Sequence, residues 1–354
     1  MKSQKIKSIY FGGGTPSKIG LKNIIKIYDT IKKYFNLRDL SEFSIELNPF
    51  PFDEIINFIA NLNKQFKQLK RIRYSFGIQS FDDKILTQIG RPYDFLFIQK
   101  FFKSLEKLKE ANNVFNFDFI AFGKFNSNNC LWDQNKLNFF KKFLISKLPD
   151  SISLYTLEVS EKMKNYDFYG NDDQIFDEFQ ILKKIILDSN YARYEISNFT
   201  KQGKGSVQNQ VYRNMENYIG FGVSASSFIN KTLISDFQKI KEFNQFITKK
   251  HKGLRRTNTP DINKYIKGNY LDSSQINFLS KEDLLIEEFF LKLRTAKGIQ
   301  NIDKFKSILV KNYQSLITNY KKSGLVNYNK KILILTDKGM NISNSIITDM
   351  LNTI

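Results

Sequence analysis

The 354-residue chain has a single cysteine, Cys130, and a single histidine, His251. One thiol excludes an intramolecular disulfide framework, and it excludes a cysteine-only metal or iron–sulfur site built from this chain alone. One imidazole excludes paired-histidine metal sites and argues against a Ser–His–Asp triad. A lone free thiol fits a reducing compartment, so a cytoplasmic location is expected. No run approaches ~18 consecutive apolar residues, so no membrane span is expected. The basic opening, residues 1–7, is not followed by the apolar core of a signal peptide.

Arginine is also scarce. Of the 55 Lys and Arg residues, nine are arginines, at positions 38, 71, 73, 91, 193, 213, 255, 256 and 294. Most of the positive charge behind the net +20 is therefore lysine, and the lysines are dispersed along the chain as a solvated surface is. The local basic cluster is Lys249-Lys250-His251-Lys252 with Arg255-Arg256. Charge of this kind does not single out nucleic acid as a partner. What is abundant is apolar and aromatic: 41% apolar residues and 34 phenylalanines, enough for a folded core.

The hydrophobic pattern alternates between short apolar runs and helical periods. Runs at 8–11, 43–47, 72–78, 114–122, 151–157 and 191–197 read as strands. Stretches at 21–34, 55–62, 94–111, 134–148 and 172–189 read as helices. Ser80 and Asp83 have the spacing of a capping box for a further helix that ends near Gly90. Helix-length connections require parallel strands, and several of these strands read as apolar on both faces. The expected fold is α/β, a parallel sheet or barrel with helices outside. Residues 249–281 lose this rhythm and read as a linker. Beyond it, Ser280 and Asp283 cap a helix, another helix covers about 302–322, and 324–335 read as a hairpin before a last helix. Helices followed by a small hairpin suggest a winged-helix-like domain.

In parallel α/β folds, ligands bind beyond the carboxyl ends of the strands. Gly12-Gly13-Gly14-Thr15-Pro16-Ser17 follows the first strand. Consecutive glycines let the backbone approach a ligand, although the turn is neither a G-x-G-x-x-G fingerprint nor a Walker A loop. Glu46, Gln79 and Asp118 lie at or just past the ends of later strands, so one shared pocket is expected.

The segments IYFGGGTPS (Ile9–Ser17), IELNP (Ile45–Pro49) and RYSFGIQSFDDKILTQIGR (Arg73–Arg91), in this order, resemble the radical S-adenosylmethionine (SAM) proteins of the coproporphyrinogen-dehydrogenase-like family. FNFDFI (Phe115–Ile120), SISLYTLEVSE (Ser151–Glu161), YEISNF (Tyr194–Phe199), NYIGFG (Asn217–Gly222) and LILTDKGMNISNS (Leu333–Ser345) extend the resemblance over nearly the whole chain. The branch it resembles most is that of the HemW-like heme chaperones. The resemblance implies that Gly13, Gly14 and Thr15 hold the methionine amino group, and that Glu46, Gln79 and Asp118 face the nucleoside. It implies that Arg91 pairs with the SAM carboxylate, a task suited to a planar guanidinium.

The family binds a 4Fe–4S cluster through three cysteines in a C-x-x-x-C-x-x-C loop that precedes the glycine turn. This chain has no such motif, so its cluster ligands are expected outside it, and without a cluster it is expected to be catalytically dead. Two explanations stand, a start placed too late or a cluster-less relative. The first is favoured because strand 8–11 would otherwise leave an apolar edge uncovered. The branch's H-N-x-x-Y-W motif, implicated in heme handling, reads here Gln208-Asn209-Gln210-Val211-Tyr212-Arg213. Neither the His nor the Trp is present, which argues against axial heme ligation by histidine.

The resemblance thus implies a partial (β/α) TIM-like barrel of the radical SAM type lacking its first strand, at 1–230. A connecting helix and linker at 231–281 and a C-terminal winged-helix-like α+β domain at 282–354 would follow. The implied role is a heme chaperone that binds SAM, with heme or porphyrin and an unknown heme acceptor protein as partners. The alternatives are oxygen-independent coproporphyrinogen III oxidation and a cluster-less SAM-fold binding protein.

Overall fold

A computed structural model describes residues 5–124, 132–159, 168–230, 251–269 and 276–351. Cys130 and the connecting helix expected after residue 230 lie outside the described residues. The chain divides into two compact units, Met1–Gln208 and Asn209–Ile354.

The first unit is built on a seven-stranded sheet. Its strands are β1 (Ser8–Phe11), β2 (Glu42–Leu47), β3 (Ile72–Gln79), β4 (Asn113–Ala121), β5 (Ser151–Thr156), β6 (Ala192–Arg193) and β7 (Asn198–Thr200), in the order β1-β2-β3-β4-β5-β7-β6. β1 to β5 pair in sequence order and all parallel. The connections carry α1 (Leu21–Tyr34), α2 (Phe52–Phe66), α3 (Asp83–Gln88), α4 (Phe95–Leu108), α5 (Gln134–Ile145) and α6 (Asp172–Asp188). This is the repeated βα arrangement expected from the pattern.

Two sequence expectations change. The strands are not apolar on both faces. Phe43 and Ile45 of β2, Tyr74 and Phe76 of β3, Phe115, Phe117 and Phe119 of β4, and Ile152 and Leu154 of β5 are buried in one core with residues of the helices. Their neighbours on the opposite face are polar: Glu42, Ser44 and Glu46, then Arg73 and Ser75, then Asn116 and Asp118, then Ser151 and Ser153. Because strand side chains alternate, one face is packed by helices while the other stays available to polar ligands. The run 191–197 is not a sixth parallel strand either. A tight turn, closed by reciprocal backbone bonds between Glu195 and Asn198, splits it into β6 and β7, which pair antiparallel with each other. β7 then pairs antiparallel with β5.

The cap of α3 is Asp82 rather than Ser80: the Asp82 carboxylate accepts from the Lys84 and Ile85 amides, and Ser80 Oγ accepts from the Asp82 amide instead. A carboxylate is the stronger acceptor for the helix's orphan amides.

The second unit opens with an antiparallel sheet of β8 (Ser226–Asn230), β9 (Gly253–Thr257) and β10 (Ile276–Leu279), in the order β10-β9-β8. Two of these strands fall in the segment read as a linker. Their signal is hidden because β9 is basic, yet Leu254 is buried and Arg255 bonds Glu287 within the unit. After Ser280, which makes the expected capping box with Asp283, come a helix Lys281–Leu293, a 3-10 turn Ile302–Phe305 and a helix Tyr313–Lys322. The hairpin β11 (Val326–Asn329) and β12 (Ile332–Leu335) follows, and Ile299 bridges to Leu333 as a third, single-residue strand. This is a winged-helix-like arrangement.

Candidate functional site

The carboxyl ends of β1, β2 and β3 meet on the polar face of the sheet. Gly13 and Gly14 follow β1 with φ of 78° and 55°, two successive left-handed residues that only glycine adopts without strain. The turn is tied to β2 twice. The Gly13 N–H donates to a Glu46 carboxylate oxygen at 3.0 Å, and the Tyr10 hydroxyl donates to the other oxygen. Two residues further along, Asn48 Nδ2 donates to Thr15 Oγ1 at 3.0 Å.

Asn48 also receives Arg91. The Arg91 Nη1 donates to Asn48 Oδ1 at 2.8 Å. Arg91 is set in place by the end of α3, where its amide bonds the Leu86 carbonyl at 2.8 Å. Among the described residues, the one hydrogen-bond partner of the guanidinium is this neutral amide, and no carboxylate pairs with it. A half-buried cation without an anionic partner is suited to an anionic ligand.

Gln79 ends β3 at a register shift and has φ of 72°, rare for a residue with a side chain. Its amide turns back over Gly77. A Cβ built on Gly77 would stand 2.8 Å from Gln79 Nε2, 3.8 Å from Arg91 Nη2 and 3.8 Å from Asn48 Oδ1. Three polar side chains therefore converge over one bare stretch of backbone, a cradle that a methyl group would fill.

Asp118 lies beside Gly77 in the β3–β4 register. It accepts from Ser75 Oγ at 3.0 Å and from Asn116 Nδ2 at 2.7 Å. Loss of solvation raises its pKa above the ordinary aspartate value, while the Ser153 and Ser75 hydroxyls, Arg73 and Asn116 pull it back. The Tyr155 hydroxyl, on the same face of β5, is pushed up to about 12, first by burial and then by the Asp118 charge. Gly13, Gly14, Thr15, Glu46, Gln79 and Arg91 thus form one linked group, and Asp118 borders it on the same face of the sheet.

Several residues of this site escaped the sequence reading. Asn48 stands two positions after Glu46 and Gly77 two before Gln79. The two-residue strand period would have put each on the same face as its neighbour.

At the other end of the strands, Glu42 is fully buried. It accepts from the Val207 amide at 3.0 Å and the Gln208 amide at 3.4 Å, at the start of the helix Val207–Arg213, and from Ser44 Oγ at 3.0 Å. Gln208, which stands where the related motif has histidine, is buried and accepts a hydrogen bond from the Ser8 hydroxyl. Another buried carboxylate, Glu178, holds the loop after β4 by accepting from the Gly123 and Lys124 amides and from Trp132 Nε1. Among the described residues, no three His, Cys, Asp or Glu side chains form a group able to hold a metal ion. No helix among them is long and apolar enough to cross a membrane.

No family model matches the chain. It is 27% identical to the heme chaperone HemW of Lactococcus lactis subsp. lactis (strain IL1403), over 98% of this chain and 85% of that protein. It is 26% identical to the heme chaperone HemW of Bacillus subtilis (strain 168), over 96% and 84%. Its fold matches the solved structure of coproporphyrinogen III oxidase (HemN) from Escherichia coli, described as a radical SAM enzyme. That match has a TM-score of 0.72 at 17% identity and covers 99% of this chain and 79% of that one. The chain is thus similar to HemW heme chaperones over nearly its full length and shares the fold of HemN.

Proposed function

We propose that this protein binds SAM at the carboxyl ends of β1 to β4 and acts as a heme chaperone of the HemW kind. The observation that carries the reading is the guanidinium of Arg91. It is held by neutral Asn48 beside a glycine turn, with two side-chain carboxylates and an amide on the same polar face. SAM presents a carboxylate, an ammonium, a sulfonium and two ribose hydroxyls. Arg91 would take the carboxylate through Nη2 while Nη1 stays on Asn48, a division of contacts that lysine cannot reproduce. Gly13, Gly14 and Thr15 would hold the amino group. Glu46, Gln79 and Asp118 would accept from, or donate to, the nucleoside.

Radical SAM proteins generally pair SAM with a 4Fe–4S cluster that supplies the cleaving electron. The residues of this chain do not fit that cluster, because one cysteine cannot provide three thiolates. The reading therefore assigns this chain SAM binding and no radical step. Nor is heme ligation assigned to the motif at 208–213, since Gln208 is engaged with Ser8. Heme or porphyrin, and an acceptor protein for it, are proposed partners on the strength of the HemW relatives. The single cysteine favours one second reading, a SAM-fold binding protein that works without a cluster.

Calorimetric titration of the full chain with SAM tests the site, with saturable one-to-one binding expected and no heat counting against it. Titration with heme, followed by absorbance, tests the chaperone role. A Soret shift is expected, and its absence would leave the second reading in place.

A further inference from the structure

Asn48 stands between the glycine turn and Arg91. Its Nδ2 donates to Thr15 Oγ1 at 3.0 Å, and its Oδ1 accepts from Arg91 Nη1 at 2.8 Å. An amide is suited to this double role because it carries a donor and an acceptor on one rigid plane. The consequence for Arg91 is geometric. With Nη1 held on Asn48, Nη2 comes within 3.8 Å of where a Cβ of Gly77 would be. Nη2 is thereby directed over the bare floor of the cradle. The consequence for charge follows from the same contact. A carboxylate at position 48 would neutralise Arg91, whereas the amide orients it and leaves its positive charge uncompensated.

We infer that Asn48 is a positioning residue that fixes the Arg91 guanidinium against the Thr15 turn, so that the site selects ligands bearing an α-amino-acid carboxylate. This rests on the SAM reading and extends it to a residue that itself need not touch the ligand. The selectivity is for the carboxylate end of the ligand rather than for the nucleoside.

The test compares two ligands on the full chain by calorimetry: SAM, and decarboxylated SAM, which keeps the nucleoside, sulfonium and amine but lacks the carboxylate. Wild type is expected to prefer SAM by roughly tenfold or more, the size of a hydrogen-bonded charge contact. Asn48→Ala is expected to lose most of that preference by weakening SAM more than decarboxylated SAM. Asn48→Asp keeps the side-chain size and pairs with Arg91, so it is expected to lose the preference as well, and it serves if the alanine variant does not fold. Combining Asn48→Ala with Arg91→Lys is expected to cost no more than Arg91→Lys alone, because both act through one contact. Equal weakening of both ligands would show a merely structural Asn48 and overturn the inference, as would unchanged preference in either Asn48 variant. Wild type that binds neither ligand would instead overturn the SAM reading on which the inference stands.

Discussion

A β-carbon on Gly77 would meet the Gln79 side-chain amide at 2.8 Å, closer than real side chains approach. Gly77 is therefore bare because Gln79 lies over it, and the left-handed Gln79 at the end of β3 is what turns that amide inward. The backbone of Gly77 itself is not left-handed, so alanine there carries no conformational penalty. Gly77→Ala is expected to fold with a melting temperature close to wild type while displacing Gln79 and weakening SAM at least about tenfold. Calorimetry beside a thermal melt checks this, and unchanged affinity would remove Gln79 from the site.

Arg91 should not tolerate its usual replacement. Lysine keeps the charge but loses the planar fork that bonds Asn48 with one nitrogen and a ligand with another. Arg91→Lys is expected to weaken SAM by about ten- to a hundredfold with the fold intact. Affinity within twofold of wild type would mean that Arg91 acts as a charge alone.

Asp118 links the site to pH. Its pKa is raised in the folded protein, chiefly by loss of solvation, so the folded state holds this proton more tightly than the unfolded chain does. Stability contributed by Asp118 is therefore full below the ordinary aspartate pKa and is lost as pH rises through the raised value. Asp118→Asn, neutral at every pH, is expected to remove this loss, so that its stability relative to wild type rises as the pH climbs above the ordinary aspartate pKa. It should also weaken SAM by removing an acceptor for a ribose hydroxyl. Melting curves of both proteins across that rise in pH check the first point. A variant-minus-wild-type difference that shrinks as pH rises would reverse the assigned sign.

Glu42 does structural work at the opposite end of the strands. It is fully buried and accepts from the Val207 amide at the start of its helix, and Arg71 pairs with it at 3.4 Å. Glu42→Ala leaves buried donors without an acceptor and is expected to cost about 2–4 kcal/mol of stability. Chemical denaturation measures this, and a loss below about 0.5 kcal/mol would show that water replaces the carboxylate.

The first unit was legible because its strands and helices differ in period. Residues 21–34 and 72–78 announce a helix and a strand without help from distant residues. The glycine turn and the residues at strand ends were legible because position along a strand predicts which end they occupy. What stayed hidden depends on contacts far apart in sequence. Glu42 meets Val207 across 165 positions, and nothing local to either residue marks the pair. Asn48 reads as a turn residue before proline until Arg91 and Thr15 are seen on either side of it. β9 was lost because its arginines look solvent-directed, although Arg255 is paired with Glu287. Short strands with charged side chains carry too little hydrophobic alternation to reveal themselves.

The central claim, that SAM occupies the ends of β1 to β4, is tested most directly by hydrogen–deuterium exchange of the full chain with and without SAM. The account predicts slowed exchange at residues 13–15, 46–48, 77–79 and 118–120, with the second unit unchanged. Protection confined to other segments, or none at a saturating SAM concentration, would contradict it.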